Sequence, residues 1–96
     1  AVDAFQEALK ISPGSADNHF GLALVYQSAA ADEEAERELL KAIEMDPMFL
    51  EARLHLAMLH ADQGHFDKAR GQLRKILEID PANQVARETL AILERQ

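Results

Sequence analysis

Cysteine and tryptophan are absent from this 96-residue chain, and tyrosine occurs once. Without cysteine there is no disulfide framework and no thiolate metal site. That lack is compatible with a reducing compartment, and a cytoplasmic location is the expectation. Aromatic residues make up only 5% of the chain, while 48% is hydrophobic. An apolar content so poor in rings, and dominated by Ala and Leu, favours closely packed helices over β structure. It also argues against disorder. No apolar run approaches the roughly 18 residues that span a bilayer, so no membrane contact is expected within this segment. No signal peptide opens the chain. It starts without an initiator Met, as a piece of a longer protein would.

Basic residues are scarce. Ten Lys and Arg face 17 Asp and Glu, for a net charge of −7. A nucleic-acid binder shows a basic footprint, so no nucleic-acid partner is expected. The acidity is uneven. Residues 1–48 carry 10 acids and 3 bases, and residues 49–96 carry 7 of each. Solubility accounts for such a balance, and attraction of a basic partner to the N-terminal half is the other reading.

Proline is also rare, and its placement carries the strongest signal. Pro13, Pro47 and Pro81 stand 34 and 34 residues apart. Each closes a related phrase: EALKISP, KAIEMDP and KILEIDP. Between them apolar residues recur at helical spacing. Leu22, Ala23 and Tyr26 are matched one period on by Leu56, Ala57 and His60. Ala35, Leu39 and Ala42 are matched by Ala69, Leu73 and Ile76. The pattern predicts six helices, at about 1–11, 16–29, 33–45, 49–62, 66–79 and 84–95. The loops are short, so neighbouring helices should be antiparallel. Ser15 and Asn83 are expected N-caps, Asp32 a cap for the next helix, and Asp46 a cap with Pro47 at the first helical position. Gly64 suits a left-handed helix end. Ala30 stands at the matching spot, which predicts a turn of different shape. Ile43 and Met45 are assigned to the core.

These residues resemble the tetratricopeptide repeat (TPR), with its 34-residue pattern W-x2-L-G-x2-Y-x8-A-x3-F-x2-A-x4-P. Residues 16–49 supply Leu22, Ala23, Tyr26, Ala35, Leu39, Ala42 and Pro47 in order. Residues 50–83 supply Leu56, Ala57, Ala69, Leu73 and Pro81. Residues 1–15 look like the second helix of a preceding half repeat, and 84–96 like a capping, solvating first helix. The resemblance implies an all-α solenoid of antiparallel helix pairs in a right-handed superhelix. His19, Arg53 and Arg87 replace the pattern's Trp. Ile76 replaces a small Ala and needs extra room. Glu94 stands at the position of Tyr26 and is expected to face water.

His19, His55, His60 and His65 are the only catalytic-looking residues. His55 and His60 diverge around a helix, so they form no HExxH-type pair. No Ser–His–Asp ordering or Gly-rich phosphate loop is visible, and partly exposed structural histidine is the expectation. No enzyme, metal or cofactor is expected. The resemblance instead implies a concave groove, lined by the first helix of each repeat, that binds a peptide or helix of a partner protein. Its matching positions are Phe20, Leu24 and Gln27 on one helix, Leu54, His55 and Met58 on the next, and Val85, Glu88 and Ile92 on the last. Gly21 would let a ligand backbone approach. The stripe is apolar with a largely acidic border, so an amphipathic segment with basic flanks would complement it. The same apolar residues would equally serve to pack against one another or against further repeats. TPR domains that hold acidic chaperone tails use Lys, Asn and Arg in this groove. The corresponding residues here are Phe20, Leu24, His55, Val85 and Thr89, which clamp a carboxylate poorly. The alternative function is a homo-oligomer built through helix 1–11, where Val2, Phe5 or Leu9 would be exposed. The acidic face of helix 33–45, with Glu33, Glu34, Glu36, Glu38 and Glu44, and the basic face of helix 66–79 are read as solvated.

Overall fold

The computed structural model describes residues 16–95. The predicted helix 1–11, and the cap assigned to Ser15, lie outside the described residues. Those residues form five helices and no strands: α1 (Ala16–Ser28), α2 (Asp32–Met45), α3 (Leu50–Asp62), α4 (Phe66–Ile79) and α5 (Gln84–Glu94). The helix bounds match the hydrophobic periodicity to within a residue or two. The chain divides into two compact units, residues 1–52 and 53–96.

In the first unit α1 packs on α2 across a three-residue turn. The buried stripe of α1 is His19, Gly21, Leu22 and Ala23, and that of α2 is Ala35, Glu38, Leu39 and Ala42. Small residues at the contact let the two backbones come close, and Leu39 fills the space between them. In the second unit α4 packs on α5. Ala69, Leu73 and Ile76 are its buried stripe, and Ala86 and Leu93 meet it from α5. Leu56, Ala57, Leu59 and His60 of α3 are buried too. Ile76 is almost fully buried, so the core has made room for it. Met45 corrects the assignment to the core: it is among the exposed large hydrophobics, and Ile43 is half-buried.

The helix ends correct several expectations. Asp32 is the first residue of α2 and not its cap. Ala31 holds the cap position, with no side-chain hydrogen bond. Asp32, Glu33 and Glu34 therefore occupy the first turn, where negative charge suits the helix macrodipole. Asp46 caps no following helix, because α3 begins only at Leu50. Its side chain accepts from the Met48 N–H at 3.2 Å and its carbonyl from the Phe49 N–H at 3.0 Å, closing a turn that contains Pro47. Asn83 is a cap as expected, accepting from the Ala86 N–H at 2.9 Å.

The turn at Ala30 is the same shape as the one at Gly64. Ala31 N–H donates to the Tyr26 carbonyl at 2.9 Å and Ala30 N–H to Gln27 at 3.1 Å. One period on, His65 N–H donates to His60 at 2.8 Å and Gly64 N–H to Ala61 at 3.0 Å. Ala30 adopts φ 58° to achieve this, where Gly64 has φ 80°. Two stacked hydrogen bonds outweigh a local penalty of about 1–2 kcal/mol for Ala in the left-handed region. Ala30→Gly should therefore raise stability by about 0.5–1 kcal/mol, the unfolded-state freedom of Gly cancelling part of the gain. Gly64→Ala should lower it similarly, since a Cβ there meets no atom within 4 Å and only the backbone is strained. Urea midpoints of the two variants check this. Shifts of the same sign would refute a shared turn.

Candidate functional site

The first-helix positions singled out from the sequence fall in both units. In the first unit, α1 buries His19, Leu22 and Ala23, which leaves Phe20, Leu24 and Gln27 half-buried on its flank. The Phe20 ring sits 4.9 Å from that of Phe49, tilted by 54°. Such a pair steadies both rings beyond their area of burial. Gly21 is buried, so it offers no ligand an open approach.

In the second unit three of the apolar candidates stand open. Leu54 and His55 are half-buried. Met58, Val85 and Ile92 are 48%, 52% and 54% exposed. Helical geometry is the cause: Leu56, Ala57, Leu59 and His60 take the buried sides of α3, and Ala86 and Leu93 those of α5, so these three side chains point away from the core. Glu88 is exposed, and its carboxylate accepts from the Gln84 amide at 3.0 Å.

Two histidines depart from expectation. His19 and His60 are buried, not partly exposed. His19 Nδ1 lies 2.6 Å from Glu38 Oε1, and Lys41 Nζ is 3.5 Å from the other carboxylate oxygen. Glu38 is thus not part of a solvated acidic face. One period on, Arg53 donates to the Gln72 side-chain oxygen at 3.1 Å. The residue standing for the pattern's Trp is therefore joined, in both repeats, to the residue just before the second helix's buried Leu. A signal was present in the sequence. Residue 38 lies three after Ala35 and one before Leu39, inside the buried stripe. Further ion pairs lie nearer the surface. Arg74 and Glu94 meet at 3.4 Å across α4 and α5, Lys75 and Glu78 at 3.5 Å, and Arg70 with Asp67. Arg70 also donates to the Leu93 carbonyl at 3.4 Å. Glu94 is exposed, as its position predicted. Among the described residues no group of three or more His, Cys, Asp or Glu could hold a metal ion, and no helix is long and apolar enough to cross a membrane.

Comparison with known proteins agrees with this geometry. Residues 50–93 match the family model described as tetratricopeptide repeat. The fold is that of TPR proteins. An Arabidopsis structure, the OM64 TPR domain, superposes with a TM-score of 0.92 at 22% identity, over 99% of this chain and 78% of that one. A thermophilic TPR protein of Thermus thermophilus gives a TM-score of 0.92 at 28% identity, over 100% of this chain and 49% of that one. The second TPR domain of human RPAP3, solved in complex with the HSP70 peptide SGPTIEEVD, gives 0.87 at 19% identity, over 99% and 79%. The repeats here thus span about half the length of the Thermus relative. Among curated proteins, none matches the chain in sequence.

Proposed function

We propose that these repeats form a non-catalytic protein-interaction module, which holds an apolar helical or extended segment of a partner on the first helices of its repeats. One observation carries the reading. In the second unit, three of the four exposed large hydrophobics, Met58, Val85 and Ile92, fall at first-helix positions that the TPR pattern marks for ligand contact, and only Phe66 does not. Exposed apolar side chains at marked positions are what a binding surface requires. Met58 adds adaptability through its flexible thioether. Glu51, Asp62 and Glu88, all exposed, favour basic flanks on the partner. Phe20, Leu24 and Gln27 are proposed to serve the same role in the first unit, and Leu54 and His55 in the second.

The RPAP3 domain was solved with a peptide that ends in acidic residues. Phe20, Leu24, His55, Val85 and Thr89 offer a carboxylate little here, so a different ligand class is proposed. The test is selection from a displayed peptide library. Selected peptides should carry apolar residues spaced by three or four with Lys or Arg beside them. Met58→Glu and Ile92→Glu should each weaken them by about tenfold or more. Both side chains are exposed, so the fold should be unaffected. SGPTIEEVD should show no saturation below about 1 mM. Equal binding of selected peptides to wild type and both variants would defeat the proposal.

A further inference from the structure

Gly71 stands exposed in the middle of α4. A Cβ built on it would meet no atom within 4 Å, and its backbone is not left-handed. Neither crowding nor a turn therefore calls for glycine, which is the weakest helix former after proline. Its place is the crest of the helix's outer face. At about 100° per residue, Gly71 lies roughly 140–160° around α4 from Ala69, Leu73 and Ile76, the buried stripe. The exposure thus follows from the geometry of α4 itself.

Charge defines what fits this face. On a helix surface the neighbours of a residue are those three and four away. For Gly71 these are Asp67, Lys68, Arg74 and Lys75, all exposed. Asp67 is paired with Arg70. Arg74 and Lys75 meet Glu94 and Glu78 at 3.4 and 3.5 Å, exposed pairs that exchange readily. Lys68 makes no ion pair among the described residues. Three cations thus surround a gap one side chain deep, in a chain of net charge −7. One period earlier the same places hold Glu33, Glu34, Leu40 and Lys41 around Arg37. There a long side chain fills the gap and one neighbour in four is basic, so the feature belongs to α4 and not to the repeat. We propose that the outer face of α4 docks an acidic helix of a partner protein, which crosses at Gly71 and sets its carboxylates on Lys68, Arg74 and Lys75. Side chains at a crossing set how closely two helices approach, and glycine brings the carboxylates within reach of all three cations. A nucleic acid would run beyond so small a patch onto the acidic remainder of the chain. This face lies on a second helix, and the function proposed above uses first helices, so either reading can fail alone.

The probe is a synthetic Ala-rich helical peptide with Glu at every third or fourth residue, added to the full 96-residue chain at low salt. The backbone amide resonances of Lys68, Gly71, Arg74 and Lys75 should shift. Gly71→Leu and Lys68→Glu should each weaken the peptide about tenfold and keep the helical circular dichroism, since both positions are exposed. Gly71→Ala should raise Tm, because its Cβ meets nothing and Ala is the better helix former. A lowered Tm would assign the glycine to folding and overturn the proposal. Absence of shifts, full affinity in Gly71→Leu, equal binding of the same peptide with Lys in place of Glu, or equal shifts from a single-stranded oligonucleotide would each overturn it too. So would shifts of these resonances with protein concentration alone, because the occupant would then be a second copy of the chain.

Discussion

Cutting Glu38 back to Ala is expected to destabilise the chain by about 2–3 kcal/mol. The carboxylate is buried against His19 at 2.6 Å, and its loss leaves the imidazole nitrogen without that partner inside the α1–α2 contact. His19→Leu should cost a comparable amount for the reciprocal reason, because a buried carboxylate is left behind. The double variant His19→Leu with Glu38→Leu should lose less than the two single losses together, since both polar groups leave and apolar volume replaces them. Urea unfolding of the three variants gives the coupling. Simple additivity would show that the pair contributes nothing as a pair. Lys41 plays little part. Its ammonium is half exposed at 3.5 Å, a geometry worth at most about 1 kcal/mol. The contact with His19 favours the observed register of α2 against α1.

Ile76→Ala is expected to cost about 3 kcal/mol, although Ala is the residue that the repeat pattern asks for at that position. Ile76 is among the largest fully buried side chains, and its counterpart Ala42 is buried with no exposed surface at all. The two units have therefore packed around different volumes. Trimming Ile76 opens a cavity that the surroundings cannot close, as with other large-to-small core changes. Ala42→Ile should also destabilise, by about 1–3 kcal/mol, because it forces volume into a site built for a methyl group. For a chain of this length, a loss of about 3 kcal/mol corresponds to a fall in Tm of about 10 °C or more. Calorimetry on both variants decides the matter. A neutral Ile76→Ala would mean that the site collapses around the smaller side chain and that no room was specially made.

Much of the architecture is legible from periodicity alone. Ala35, Leu39 and Ala42, repeated as Ala69, Leu73 and Ile76, announce two helices with one buried stripe each, and the described helices follow them. Asn83 reads as a cap because capping is local chemistry within three residues. Asp32 and Asp46 mislead for the same local reason. Both are good caps by type, and only the path of the chain places α2 one residue earlier and α3 three residues later. Ala30 shows the limit most clearly. Its residue type argues against a left-handed turn, and the closing hydrogen bonds to Tyr26 and Gln27 impose one. Of the candidate binding residues, Met58, Val85 and Ile92 stand open while Phe20, Leu24, Leu54 and His55 are half-buried.

The sequence by itself determined the repeat, its 34-residue period, the helix spans and the apolar stripes, because each follows from residues a few positions apart. The tertiary structure decided which polar groups are buried and which apolar ones are open, with the stripe register only hinting at Glu38. Glu38 sits among the acids of an acidic helix and reads as solvent-facing, yet it lies inside the helix pair because His19 meets it 19 residues away. Ala91 reads as core by register with Ala23 and Ala57, yet it is exposed, because no helix among the described residues packs on it. Burial depends on what another segment brings to a face, and residue type at one position does not encode that.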